Sequence, residues 1–271
     1  MKTLSSAHVH TQFCDGRNTA EEMVQSALRF GFVSLGFSFH APQPFDARYS
    51  AEHETPYRTE ILRLKEKYRE QLPLYLGMER DLYSFADPKD YDYFIGSVHY
   101  LPNEEERCPV DGVPKLLQAY ADTCCGGDGL KTVQRYYSML AQYVQALPPS
   151  IIGHFDLIRK NNPILRLFDE ESPAYRRIAL DALDAARQTG ALLEVNTGGM
   201  ARGYLPSPYP AMFLLKTWRE WGGRVILNSD CHRAPFIAFA FDEAEAYIRA
   251  AGFRAAVRLG SGKEKWEEYG L

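Results

Sequence analysis

The sequence predicts an α/β fold: a parallel sheet with helices outside it, closed into an irregular seven-stranded (β/α)7 barrel. Three observations carry this. Short strand-like apolar runs alternate with longer segments of helical periodicity seven times. Runs such as Phe32–Phe39 are apolar nearly throughout, as strands buried on both faces are. The 271 residues hold no fixed-period repeat, low-complexity tract or linker, so one domain is expected over 1–271. An open doubly wound sheet shares the alternation and is the rival architecture; periodicity alone does not separate the two.

The first strand is read over Leu4–Phe13 and ends in His8-Val9-His10. Thr19 and Glu22 form a capping box for a helix stopped at Gly31. The second strand, Phe32–Phe39, runs into His40. A Pro-rich polar loop, Ala41–Thr55, leads to a helix from Pro56 to Gln71. Strands three and four, Leu74–Met78 and Tyr93–Val98, run into Glu79 and His99. Leu101–Gly129 is read as a solvated acidic triplet, Glu104-Glu105-Glu106, then a short helix near Lys115–Ala121. A helix over Leu130–Leu147 precedes the fifth strand, Ile151–Gly153, which ends at His154. Ser172-Pro173 opens a helix that stops at Gly190. The sixth strand, Ala191–Val195, runs into Asn196, and a helix over Ala211–Trp221 follows. The seventh strand, Arg224–Leu227, runs into Asn228-Ser229-Asp230-Cys231-His232, and a last helix covers Asp242–Ala251.

A net charge of −4 argues against non-specific nucleic-acid binding, which needs a basic face. No stretch approaches the ~20 apolar residues that span a bilayer, and no signal-peptide pattern opens the chain, so a cytoplasmic protein is expected. Five cysteines without CxxC spacing point to free thiols. Cys14 and Cys231 flank acidic residues but read as packing residues.

The chemistry is carried by position. Residues i and i+2 of a strand share a face, so His8 and His10 project together. Six of the seven histidines fall at predicted strand C-termini: His8, His10, His40, His99, His154 and His232. Glu79 and Asp230 occupy equivalent ends, and Asp15 follows the first strand closely. A parallel barrel opens all these ends on one face. Imidazole and carboxylate together suit divalent zinc, manganese or iron. Such a ligand set exceeds the about four that one zinc ion takes, so a cluster of two or three ions is expected.

The run HVHTQFCDG, the strand-end His40, and the segments GMERD, FIGSVHYL, GHFDLIRKN, EVNTGG and NSDCH resemble the polymerase-and-histidinol-phosphatase (PHP) family, closest to its histidinol-phosphatase branch. The resemblance implies a distorted seven-stranded TIM-like barrel with three metal ions. It would give one ion His8, His10, Glu79 and Asp230. A second would share Glu79 and take His99 and His154, and a third would take Asp15, His40 and His232. Many members carry histidine where Asp15 stands. The implied reaction is hydrolysis of L-histidinol phosphate to L-histidinol and phosphate, in histidine biosynthesis, by a hydroxide bridging two ions.

Asp230 and His232 are expected in the catalytic set, with Arg159 and Arg202 as guanidinium clamps on the phosphate. Lys160 is a substitute for Arg159. Asn196 is a candidate support for a ligand. The loop Ala41–Thr55, with Phe45, Asp46 and Tyr49, is a candidate lid and source of the carboxylate for the substrate's ammonium group. Three readings compete: a PHP phosphoesterase for another small phosphomonoester or nucleic-acid ends, an amidohydrolase-type C–N hydrolase, and a non-catalytic metal-binding module. The partner expected is a small phosphomonoester, with no nucleic acid and no membrane.

Overall fold

In the computed structural model of the chain, which describes residues 4–103 and 107–271, parallel strands follow one another in chain order. They are β1 (Leu4–Ser6), β2 (Phe32–His40), β3 (Leu74–Asp81) and β4 (Tyr93–Ser97). After a small hairpin of β5 (Tyr100–Leu101) and β6 (Cys108–Pro109), the main sheet continues through β7 (Ile151–Ile152), β8 (Leu192–Asn196) and β9 (Val225–Asn228). Two further strands, β10 (Ala255–Leu259) and β11 (Trp266–Gly270), extend the sheet to the order β1-β2-β3-β4-β7-β8-β9-β10-β11, with only the last pair antiparallel. The order never reverses, which excludes the doubly wound rival.

The ring closes at its upper rim. Val9 bridges Cys231 in parallel fashion: His10 N donates to Cys231 O at 2.8 Å, and Cys231 N to His8 O at 3.3 Å. Closure explains why the first strand is shorter than expected. Only Leu4–Ser6 ladder onto β2, and the chain beyond them is shared between Ser38 and Cys231. At the lower end β10 fills the seam, pairing with β9 at Val257↔Ile226 while Ser34 Oγ donates to Leu259 O. The terminal β10–β11 hairpin was not expected from the sequence.

Helices α1 (Ala20–Phe30), α2 (Glu54–Tyr68), α3 (Pro114–Cys125) and α4 (Gly129–Ala146) cover the outside of the first half. Then come a short α5 (Asn162–Leu165), α6 (Pro173–Arg187), a single turn α7 (Gly198–Ala201), α8 (Met212–Glu220) and α9 (Phe241–Ala250). The capping box of α1 forms as read, with Thr19 N donating to Glu22 Oε2 at 2.8 Å and Glu22 N to Thr19 Oγ1 at 3.2 Å. Helix α2 starts two residues earlier than its Thr55-Pro56 signal, which is tolerable because the first turn needs no donor from Pro56. The acidic triplet Glu104-Glu105-Glu106 lies outside the described residues.

Inside the ring, strand alternation stacks layers. The floor is apolar, built from Tyr93, Ile95, Ile151, Leu192, Ile226 and Val257. Tyr93 reaches across it to donate to Phe37 O at 3.0 Å. Its ring is admitted by Gly77, where a Cβ would stand 2.2 Å from the ring. Two residues further up each strand the same face becomes polar: Glu79 above Gly77, Ser97 above Ile95, Glu194 above Leu192, Asn228 above Ile226. A packed apolar floor under a polar mouth leaves the site at the C-terminal rim. Among the described residues no helix is long and apolar enough to cross a membrane.

Candidate metal centre

Glu79 is the hub of the mouth. It lies two residues before the end of β3, almost wholly buried, and divides its two oxygens between two sets of imidazoles. Oε2 stands 3.2 Å from His8 Nε2, 3.4 Å from His10 Nε2 and 3.2 Å from His40 Nδ1. Oε1 stands 3.0 Å from His154 Nε2 and 3.4 Å from His99 Nε2, and it accepts Ser97 Oγ at 2.7 Å. A carboxylate placed this way can bridge two cations.

Asp230 splits its oxygens too. Oδ1 faces His10 Nε2 at 3.5 Å and His8 Nε2 at 3.7 Å, whereas Oδ2 accepts Arg202 Nη2 at 2.7 Å. Its backbone is left-handed, φ 48°, which costs a non-glycine residue about 1 kcal/mol. Arg202 Nη1 reaches Asp230 O at 3.3 Å and so grips both ends of the residue. Arg202 approaches over Gly198, where a Cβ would meet Asp230 Oδ2 at 2.6 Å and Arg202 Nη2 at 2.8 Å. Gly198 therefore serves a close approach of side chains at the start of α7.

Asp15 gathers the outer rim. Its Oδ1 is 3.2 Å from His232 Nε2 and 3.6 Å from His40 Nε2, and Oδ2 accepts Tyr49 Oη at 3.3 Å. All nine residues expected as ligands thus meet in one mouth. Their donor atoms fall into overlapping groups that could each hold an ion: His10, Asp15, His40 and His232; His8, His10 and Asp230; His8, Glu79 and His154; His40, Glu79 and His99.

The fit to cations is written in the nitrogens. His8 Nε2 and His10 Nε2 are buried with no hydrogen-bond partner, a loss of about 1–3 kcal/mol each unless something accepts the lone pair. Each faces carboxylate oxygens, which a divalent ion would join to it. The electrostatics of the empty-handed side chains are divided. Burial, then His232 and His40, push His10 down to about 3. For His99 burial also pushes down, but Glu79 and Asp81 prevail and lift it to about 10.

A second ring of side chains orients the first, and the sequence reading missed most of it. Glu194, fully buried, accepts His8 Nδ1 at 2.6 Å and His154 N at 2.7 Å. Asn196 and Asn228 each donate to it at 2.9 Å, and Asn196 Oδ1 accepts Gly198 N at 2.8 Å, so Asn196 braces Glu194 and its own turn and touches none of the nine candidate ligands directly. Asp81 accepts His99 N at 2.7 Å and lies 3.3 Å from His99 Nδ1. The available signal was a charged residue inside an apolar run, Leu192-Leu193-Glu194-Val195.

The mouth opens into a cavity of about 790 Å³ lined by all the candidate ligands except the deeper His8 and His10, and by Arg17, Arg48, Lys160, Arg202 and Arg233. Arg159 is not among its lining residues. It points instead to Asp156 Oδ2 at 3.0 Å and Glu170 Oε2 at 2.6 Å. Leu157–Arg159 is a 3₁₀ turn, so successive side chains step about 120° around it and Lys160, not Arg159, lines the cavity. From the candidate lid, Gln43, Arg48 and Tyr49 line the cavity, whereas Phe45 and Asp46 do not. Asp46 is bound to Arg48 and to Tyr100 Oη. Cys14 Sγ lies 3.5 Å from His10 Nδ1, and Cys231 Sγ donates to Arg233 O. Burial pushes both thiols up to about 12, so neither is a nucleophile near neutral pH. All five cysteines are free, as their spacing predicts.

Comparisons with known proteins bear on the family and the fold. The PHP domain family model matches residues 6–198. A Deinococcus radiodurans protein named "Probable histidinol-phosphatase" is 31% identical over 94% of this chain and 96% of its own length. The Bacillus subtilis "Histidinol-phosphatase" is 26% identical over 87% of this chain and 96% of its own. Among solved structures, the histidinol phosphate phosphatase of Lactococcus lactis, complexed with zinc, L-histidinol and phosphate, superposes with a TM-score of 0.69 at 19% identity, over 95% of this chain and 97% of that one.

Proposed function

The chain belongs to the PHP-domain family, and from that premise we propose that it is a metal-dependent phosphomonoesterase that converts L-histidinol phosphate to L-histidinol and phosphate. The observation that carries the reading is the pair of orphaned nitrogens, His8 Nε2 and His10 Nε2, aimed at Glu79 and Asp230 beneath a cavity edged with cationic side chains. The substrate is supported by the names of the relatives and by the L-histidinol and phosphate bound in the Lactococcus lactis protein.

In this reading His8, His10, Glu79 and Asp230 hold one ion, and Glu79, His99 and His154 a second. Asp15, His40 and His232 hold the third. Divalent zinc, manganese or iron there supplies Lewis acidity toward the phosphoryl group and acidifies water to near neutral pH. The side chains do the rest. Arg202, fixed by Asp230, turns its remaining N–H groups to a phosphoryl oxygen, and Asp230 and His232 set its position. Arg17 and Lys160 line the same cavity and are further cations for the developing negative charge. Glu194 and Asp81 keep His8 and His99 turned toward the centre. An amidohydrolase-type reading would leave Glu79, which faces five imidazoles, without a task.

The test is metal content by elemental analysis alongside phosphate release from histidinol phosphate. His10→Asn and Glu79→Gln are expected to lose both metal and turnover. A purified protein that was metal-free and fully active would overturn the metal reading. A metal-loaded protein that cleaved aryl phosphates but not histidinol phosphate would transfer the assignment to another small phosphomonoester.

A further inference from the structure

We propose that Asp111 is the specificity-determining carboxylate of this site: it receives the ammonium group of an amino-alcohol phosphate while the phosphate end lies at the metal centre. The inference rests on the phosphomonoesterase reading above and adds the residue that selects the alcohol.

Four carboxylates line the cavity: Asp15, Glu79, Asp230 and Asp111. The first three belong to the ligand cluster. The cavity's other charged side chains are the ligand imidazoles and cations, so among the described residues Asp111 is the one cavity carboxylate outside the ligand cluster, with Lys160 beside it at 3.5 Å. The candidate proposed from the sequence, Asp46, is occupied by Arg48 and Tyr100.

Asp111 is held in place by the Lys160-Asn161 part of the segment after β7, which the metal centre does not use. Its turn is fastened on both sides. Val110 N donates to His99 O at 2.8 Å, tying the turn to a ligand-bearing strand end. The amide of Asn161, a buried residue, donates to Val110 O at 3.2 Å and Gly112 O at 2.9 Å, the two peptide carbonyls flanking Asp111. Lys160 Nζ bonds to Asp111 O and pairs with Asp111 Oδ2 at 3.5 Å, a long contact that takes one of the carboxylate's about four acceptor sites. The side chain is 37% exposed, open to the cavity. Directly after it, Val113 and Leu116 line the same cavity with apolar surface on which a flat ring could rest.

A carboxylate fixed this way rewards a substrate bearing an amine and gives nothing to its deamino analogue. The experiment compares kcat/KM for histidinol phosphate and for 3-(imidazol-4-yl)propyl phosphate, which lacks only the amine. Wild type should favour the amino ester by about 100-fold. Asp111→Asn should erase that preference, lowering kcat/KM on the amino ester by about 100-fold and on the deamino ester by less than about 3-fold, with metal content unchanged. Asp111→Glu should restore part of it. Equal losses on both esters, or none on either, would overturn the proposal. So would a wild-type enzyme with no preference between the esters, a result that needs no variant to fold. If wild type cleaves aryl phosphates but not histidinol phosphate, the substrate assignment fails separately. Asp111 is then tested with 2-aminopropyl against propyl phosphate, where an absent amine preference overturns it.

Discussion

Glu194 and His8 form a short, fully buried contact beneath the site, with Oε1 2.6 Å from Nδ1 and both side chains at 0% exposure. The hydrogen bond from Nδ1 to the carboxylate turns Nε2 toward Glu79 and Asp230. Glu194→Gln should weaken this orientation and lower metal affinity about 10–100-fold. Metal retained after dialysis against a graded chelator series measures it. Retention equal to wild type would show that His8 needs no such support.

The two arginines should separate cleanly. Arg202 takes Asp230 Oδ2, while Oδ1 faces the imidazoles, so Arg202→Ala should leave the ions bound and lower kcat/KM for the phosphate ester by about 10²-fold. Arg159 neutralises the fully buried Asp156, so Arg159→Ala should cost about 3–5 kcal/mol of stability. Paired thermal melts and kinetics decide. Arg159→Ala with an unchanged melt and a 10²-fold kinetic loss would return it to the phosphate site.

Metal uptake should release protons. His99 holds its proton up to about pH 10 in the metal-free protein, and a ligand nitrogen must give it up. Zinc titrations of chelator-treated protein at pH 7.5, in two buffers of different ionisation heat, should show net release, with affinity rising as pH rises. The sign for stability is opposite. Because His99 lies above its unfolded value near 6.5, its share in the metal-free fold is complete below that pH and is lost as pH climbs through about 10. Heats independent of buffer would refute the protonated state.

Thiol reagents should spare the enzyme. With Cys14 and Cys231 raised to about 12 by burial, about one thiol in 10⁴ is ionised at pH 8. Iodoacetamide at that pH is expected to leave phosphatase activity intact over an hour, and rapid first-order loss would contradict it.

The candidate ligands were legible in the sequence because chain alternation assigns every strand end to one rim, whatever the loops do. His154 and Asp230 needed no knowledge of neighbouring helices. Rotation about a turn carries no such guarantee: Arg159 and Lys160 are adjacent and equally cationic, and a 3₁₀ turn sends one to Asp156 and the other to the cavity. Glu194 was obscured by its burial, since a lone carboxylate in an apolar strand gives no hint of its partner. Asp111 and the β5–β6 hairpin lay in a segment without a clear period, where only tertiary hydrogen bonds from Asn161 define the turn.

The rim seam ties Ala7 to Asn228 across 221 positions of chain. On a ribosome the His8–His10 segment emerges long before Asp230 and His232 are made, so a nascent polypeptide cannot enclose a cation with its full complement of ligands. The complete set of candidate ligands therefore exists only once the last strand has closed the ring onto the first.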